Sequence, residues 1–388
     1  MHVNQQVIWI IVERDFVKVL LNRLQEESPL IYFLVGPRQV GKTTGIQQLL
    51  QQYQGSYHYI SADAVLTASY AWVLEQWQAA KLKAEDTLLV IDEIQKIPNW
   101  GEIIKKLWDE QKISGGKIKL LLSGSSSLSL QKGITESLAG RFEVVYANHW
   151  DYCESNELRN MSLNDYLAYG GYPKSYEIIS DPDRWNTYMQ SSIIDRVIDK
   201  DILQYAQVKN PALFRQAFEL ICCYPAQEIS YRKILGQLQD KGNTDLVKYY
   251  LSLFEGAFLI KTIQKYNNQD YKIKSSSPKI LTLAPCFYNI FNTKDEKYSF
   301  VFESSVGAKL LQIANKLYYW RQDNYEVDYI MQWRKRIYAI EVKSGRKVRA
   351  GGLEKFVSIY TDAIPVVITP DNYISFVKDP INFFEKII

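Results

Sequence analysis

Three stretches of apolar patterning follow one another along the chain. Residues 13–24 (ERDFVKVLLNRL) space Phe16, Val19, Leu20 and Leu24 like one face of a helix. The unbroken apolar run from Ile31 to Val35 then predicts a buried strand, followed by a glycine-bearing loop and a helical stretch through Leu50. A second such run, Leu88 to Ile91, ends in Asp92 and Glu93, and a third, Lys119 to Leu122, ends in Ser-Gly-Ser. Strands that alternate with helices predict an α/β fold with a parallel sheet covered by helices on both faces. The ligand crevice of such a sheet lies at the carboxyl ends of its strands.

Further on, the pattern turns helical from about 159 to 225, with a Gly-Gly-Tyr-Pro break at 170–173. Residues 229–265 read as helix, polar turn, helix, strand, the outline of a winged helix. The helix after the turn starts at Asn243 or Thr244 and carries Val247, Tyr250, Leu251 and Phe254 on its apolar face. Its other face shows Asp245, Lys248, Tyr249 and Ser252, so a packing module and a DNA reader both remain open. Past Ser-Ser-Ser-Pro at 275–278 the strands return.

Composition sets outer bounds. The 388 residues are 47% hydrophobic and 23% charged, which excludes wholesale disorder. The longest apolar run near the start, Val7 to Val12, is too short to span a bilayer, so neither a membrane helix nor a secretory signal is expected. Four cysteines without a CxxC spacing argue against a zinc module and suit a reducing cytoplasm. The net charge of +3 hides an asymmetry: residues 271–388 hold 18 Lys/Arg against 12 Asp/Glu. The surplus gathers at Arg334, Lys335, Arg336 and at Arg346, Lys347, Arg349. Such clusters neutralise phosphates in a nucleic-acid binder and are solvated turns otherwise.

The sharpest chemistry lies in Gly36-Pro37-Arg38-Gln39-Val40-Gly41-Lys42-Thr43, followed by Thr44, which fits GxxxxGK[ST] at every fixed position. Glycines let backbone N–H groups wrap a β-phosphate, Lys42 neutralises β/γ oxygens and the Thr43 hydroxyl binds Mg²⁺. The helix that follows adds its N-terminal dipole. Asp92 at a buried strand tip suits the Mg²⁺ shell, and Glu93 is placed to orient and deprotonate the attacking water. ATP with Mg²⁺ is the expected ligand. In Ser123-Gly-Ser125-Ser a hydroxyl would sense the γ-phosphate or simply cap a helix. Arg141 would act as an arginine finger, on a neighbouring subunit or within its own chain, or be an ordinary ion-pair residue.

A second constellation sits near the C-terminus. Tyr325–Met331 and Ile337–Lys343 alternate as strands joined by a polar hairpin, which sets Asp328 across from Glu341 and puts Glu341 and Lys343 on one face. Glu303 would project toward them from a preceding helix. The residues alone allow a charged hairpin, or a Mg²⁺ site at Asp328 and Glu341 that activates water against a phosphodiester.

GPRQVGKTT, LLVIDEIQKIPNW, LLLSGSSSL and SLAGRFE, in that order, resemble the AAA-type ATPases of prokaryotes that carry a C-terminal domain of unassigned function. DYLAYGGYPK and IDKDI continue the likeness, which runs from about residue 13 onward; residues before that fit no known pattern. The resemblance implies an AAA-type ATPase core over 1–158, a helical lid over 159–226, a winged helix over 227–274 and a restriction-endonuclease-like domain over 275–388. It implies a finger role for Arg141, homo-oligomers, and a nuclease-like acid set of Glu303, Asp328, Glu341 and Lys343. Relatives tend to carry an aspartate where this chain has Ala284. Two functions follow as expectations: an ATPase that couples nucleotide state to a DNA-acting nuclease-like domain, or a signalling or scaffold ATPase whose later domains only bind a partner.

Overall fold

The computed structural model describes residues 12–26, 30–65, 69–124, 138–238, 243–267, 277–292, 298–345 and 351–387. The chain forms two compact units. One runs to His149 and takes in Asp199–Tyr205; the other holds Trp150–Ile198 and Ala206–Ile388.

The first unit is built on a parallel five-stranded sheet. Its strands are β1 (Ile31–Val35), β2 (Tyr57–Ser61), β3 (Leu88–Asp92), β4 (Lys119–Gly124) and β5 (Phe142–Tyr146), in the order β2-β3-β4-β1-β5. The expected strands β1, β3 and β4 are thus neighbours at the middle of the sheet. Every residue of β1 and β3 is buried, which is why their runs are continuously apolar rather than alternating. The helix Asp15–Leu24 buries Phe16, Val17, Leu20 and Leu24. Val19, expected on that face, is 43% exposed. The phase differs by one position because the helix starts at Asp15 and packs against the helix Lys42–Gln52: a Cβ on Gly45 would meet the Phe16 ring at 2.2 Å.

The second unit holds a mixed seven-stranded sheet of β6 (Gln227–Glu228), β7 (Ile260–Lys265), β8 (Lys279–Thr282), β9 (Lys316–Gln322), β10 (Tyr325–Trp333), β11 (Arg336–Val342) and β12 (Ala363–Ile368). The order is β12-β11-β10-β9-β7-β8-β6. The helices Tyr231–Gln237 and Thr244–Gly256 precede β7 in the order read from the sequence, and Asn243 caps the second of them. β7 pairs with both β8 and β9, so this segment and the C-terminal strands share one sheet. Alternation then sorts side chains to two faces. Tyr319, Tyr329, Tyr338 and Ile340 join one core, while Trp320, Ile330 and Ala339 join the other.

That alternation breaks once. Val327 lies in the same core as Ile330, and the β9 register shifts between Val327 and Ile330. The extra residue is a bulge at Asp328–Tyr329, a device that re-aims a side chain beside a site. Among the described residues no helix is long and apolar enough to cross a membrane. All four cysteines are free thiols.

Candidate functional site

Three adjacent strands bring their carboxyl ends together in the first unit. β1 delivers the loop from Gly36 to Gly41, β3 ends on Asp92, and β4 ends on Ser123 and Gly124. The loop's glycines are required by space and by conformation. A Cβ on Gly36 would stand 2.1 Å from the Ala147 carbonyl oxygen, and Gly41 enters the following helix at φ +89°. Gln39 also takes a left-handed φ, +59°.

Lys42 is 6% exposed, and its ammonium donates to the carbonyls of Gly36 (3.1 Å) and Pro37 (2.7 Å). Burial pushes its pKa down to about 8, against the opposing pull of Glu93 and Asp92. A buried ammonium whose fixed partners are two neutral carbonyls suits an anion in the loop. Asp92, 2% exposed, accepts from the Thr43 hydroxyl (2.8 Å), the Tyr59 hydroxyl (3.3 Å), the Glu93 amide (3.0 Å) and the Ser123 hydroxyl. Thr43 and Asp92, the two residues expected to hold Mg²⁺ at the loop, are thus hydrogen-bonded to each other. Glu93 stands at φ +56°, half-buried, with its carboxylate accepting from Gln95. A non-glycine residue there costs of order 1–3 kcal/mol, and such strain gathers at reacting centres. Thr44 is half-buried on the first helical turn.

Several partners of this loop escaped the sequence. Arg14 is 4% exposed and donates to the carbonyl of Val40 in the loop and to that of Asn148 just past β5 (2.7 Å), tying the two together. His149 is held neutral, its pKa driven down to about 3 by burial and by the positive charges of Arg14 and Lys42. Arg38 binds both carboxylate oxygens of Asp201, at 2.6 Å each. No local pattern announces such pairs, because their partners lie 26 to 163 residues away.

Ser125 lies outside the described residues; Ser123, on β4, makes the contact to Asp92. Arg141 is not at the phosphate loop of its own chain. Its carbonyl accepts from the Ile31 amide at the amino end of β1, and its guanidinium grips Asp109 (2.8 and 3.0 Å). Phosphate loop and Arg141 therefore stand at opposite ends of a strand roughly 13 Å long. This removes the same-chain finger. What remains is an ion pair, or a role toward another copy.

In the second unit the C-terminal acids do converge. The pairing of Tyr329 with Ile340 makes Asp328 and Glu341 the next positions on their strands, and Asp328 accepts from the Val342 amide (2.7 Å). Lys343 contacts Glu341 on the same face. Glu303 arrives on the helix Tyr298–Leu310.

At their centre stands Lys279, which the sequence reading missed. It is 2% exposed, paired with Glu303 and within 3.8 and 3.9 Å of Asp328 and Glu326. The Tyr329 ring lies 5.1 Å from the ammonium. Among the described residues no group of three His, Cys, Asp or Glu is spaced to hold a metal ion. Glu303, Glu326 and Asp328 thus gather round a lysine ammonium, while Glu341, the other residue expected at Mg²⁺, pairs with Lys343. Ala284 is buried against Gly171, whose added Cβ would stand 2.9 Å from the Ala284 methyl. Of the basic clusters, Arg334 pairs with Glu385 and stacks on Trp333. Arg346, Lys347 and Arg349 lie outside the described residues.

Four acids (Glu303, Glu326, Asp328, Glu341) against Lys279 and Lys343 leave the cluster negative. Burial first, and then Asp328, push Glu341 up to about 7; burial pushes Glu303 up to about 8, against the pull of Lys279. Burial pulls the Lys279 pKa down, but Glu303 and Asp328 outweigh it and the net shift is upward, so the ammonium keeps its charge. An acid whose folded pKa exceeds its unfolded value binds more protons folded than unfolded between the two. Stability should therefore fall as pH rises from about 4.5 to about 7 through Glu341, and on to about 8 through Glu303. Urea melts at pH 5 and pH 8 should show that loss, and Glu341→Gln should flatten part of the slope. Lys279→Met, which strands buried carboxylates, should cost about 3–5 kcal/mol. A Lys279→Met protein as stable as wild type would remove the lysine from the centre of this account.

Comparison with known proteins fits the division seen in the fold. Residues 28–156 match the family described as an AAA domain, and residues 160–293 and 298–383 match two families each described as a domain of unknown function. An uncharacterised protein of Methanocaldococcus jannaschii is 25% identical over 349 residues, covering 83% of this chain and 75% of its own. An uncharacterised protein of Mycobacterium tuberculosis is 24% identical over 345 residues, covering 86% and 74%. Among solved structures, the Thermotoga maritima Holliday junction branch migration motor RuvB is similar at TM-score 0.33 and 16% identity, over 69% of this chain and 99% of that one. The Aeropyrum pernix Orc1 protein in complex with DNA is similar at 0.33 and 12%, over 73% and 95%. The parallel five-stranded sheet, from Ile31 to Tyr146, lies wholly within the segment that matches the AAA domain.

Proposed function

We propose that the protein binds ATP with Mg²⁺ and hydrolyses it, and that its later domains bind a partner rather than cut DNA. The observation that carries the first half is the buried Lys42 ammonium. It is held by two loop carbonyls next to a Thr43–Asp92 pair, so a ready positive charge faces a ready metal position.

When bound, Mg²⁺ supplies a divalent charge on the phosphate oxygens. Lys42 exchanges its carbonyl partners for the β/γ oxygens, and the N–H groups between Pro37 and Thr44 wrap the phosphates. Thr43 and Asp92 hold the metal. Glu93 orients the attacking water and takes its proton, while Ser123 holds the Asp92 carboxylate at the strand tip beside it. Arg141 supplies positive charge to the site of a neighbouring copy in a homo-oligomer.

For the second half the supporting observation is Lys279. An ammonium among Glu303, Asp328 and Glu326 supports the scaffold reading, with DNA or protein as partner, over the nuclease reading. Winged-helix and restriction-endonuclease-like assignments to 227–274 and 275–388 remain part of this reading, as does the lid at 159–226.

Glu93→Gln should bind ATP within about threefold of wild type yet turn over roughly 10²–10⁴-fold more slowly, because an amide cannot accept the proton. Lys42→Ala should abolish binding. Equal turnover by wild type and Glu93→Gln would remove Glu93 from its role. In the same reactions plasmid DNA should stay intact with Mg²⁺ or Mn²⁺; cutting that disappears in Asp328→Ala would restore the nuclease reading. Mixing Arg141→Ala with Lys42→Ala should recover part of the wild-type rate, since each copy supplies what the other lacks. No recovery, with a monomer by light scattering, would leave Arg141 as the ion-pair partner of Asp109.

A further inference from the structure

Asp201 is a charge where none is cheap. Its side chain is 4% exposed, and it lies in Asp199–Tyr205, the seven residues by which the chain rejoins the first unit. Asp201 itself sits on a wide-turned helix, Val197–Ile202, of the π type often found at functional positions. Burial raises the Asp201 pKa, and Arg38 and Lys42 act against it. A carboxylate so placed needs a bound cation.

Arg38 provides it from inside the phosphate loop. Nε and Nη2 each reach one carboxylate oxygen at 2.6 Å, the planar two-point grip that lysine cannot make. Those bonds use two of the guanidinium's five N–H groups. Arg38 also feels the charge of Glu93, and Asp201 feels that of Lys42. The held guanidinium therefore belongs to the charge cluster formed by the water-orienting acid and the phosphate-binding lysine. Its side chain remains about one-third exposed.

We propose that Arg38 reads the terminal phosphoryl group of the nucleotide, and that Asp201 is the positioning residue that fixes Arg38 for this task. The inference rests on the ATP-binding reading above and adds to it the discrimination of tri- from diphosphate. Asp201 anchors one edge of the guanidinium, so the remaining N–H groups meet the γ-phosphate without loss of side-chain freedom on binding. ADP has no group at that point. Arg38 and Asp201 should therefore matter for ATP and hardly for ADP.

Calorimetric titration of the full chain with Mg²⁺ and either ADP or a non-hydrolysable ATP analogue tests this. Arg38→Ala should lower the ratio of analogue affinity to ADP affinity by roughly 10- to 100-fold, the worth of a charge-assisted hydrogen bond, with ADP affinity within about threefold of wild type. Asp201→Asn should shift the ratio the same way by a smaller factor, and Asp201→Glu should recover part of it. Arg38→Lys, which keeps charge but not the two-point grip, should behave like Asp201→Asn and carries the test if the Asp201 variants fail to fold. Equal weakening of both ligands in Asp201→Asn would mean a purely structural pair and would overturn the proposal. So would an unchanged ratio in Arg38→Ala. A wild-type chain that binds neither nucleotide would overturn the ATP-binding reading and this inference with it. Binding of both nucleotides with no discrimination lost would overturn the inference alone.

Discussion

Charge buried away from water must be met by opposite charge or by fixed dipoles, and both units of this protein are organised round that constraint. In the first unit the constraint acts at the carboxyl edge of the sheet. Lys42, Asp92 and Asp201 are nearly inaccessible, and the loop, strand tips and returning segment are placed so that each finds partners. Asp92 alone accepts four hydrogen bonds. Lys42 is the exception: among the hydrogen bonds of its ammonium, the fixed acceptors are two carbonyls of its own loop. A buried positive charge left less than fully compensated suits phosphate, and the hydrogen-bonded Thr43–Asp92 pair proposed to hold Mg²⁺ stands next to it.

The second unit meets the same constraint differently. There the acids outnumber the cations, and an internal lysine relieves part of the repulsion among Glu303, Glu326 and Asp328. An ammonium is worse than Mg²⁺ at activating water, because it has no open coordination position and no free pair of sites for a nucleophile. It is adequate as a counter-charge. The bulge at Asp328–Tyr329 turns Asp328 toward the neighbouring strand, where it accepts from the Val342 amide, and the Tyr329 ring flanks the ammonium. The cluster therefore ties the helix Tyr298–Leu310 to β8 and β10 through one buried ammonium.

What was legible in the sequence was whatever is local. Continuous apolar runs marked β1, β3 and β4 because strands buried on both faces carry no alternation, and the glycine spacing marked the phosphate loop because backbone must approach phosphate there. Period two foretold that Glu341 and Lys343 share a face and that Asp328 pairs across the hairpin. Helix phase was less secure: Val17 faces inward in place of Val19, one step round, since contact with the Lys42–Gln52 helix sets the rotation. What stayed hidden were pairings across long sequence distance. Nothing near Arg14 announces Val40 and Asn148, nothing near Arg38 announces Asp201, and Lys279 reads as an ordinary lysine before an apolar strand. Which of the readings open for Arg141 applied within the chain was hidden for a related reason, because a short motif fixes its neighbours in sequence but not the end of the sheet on which it stands.

The most direct test of the account is a crystal structure of the full chain with Mg²⁺ and a non-hydrolysable ATP analogue. The account predicts phosphate density in the loop from Gly36 to Gly41, with the Lys42 ammonium moved from the Gly36 and Pro37 carbonyls onto phosphate oxygens. It also predicts a metal ion between Thr43 and Asp92. Analogue density elsewhere on the chain, or Lys42 still bound to its two carbonyls at saturating analogue, would contradict it.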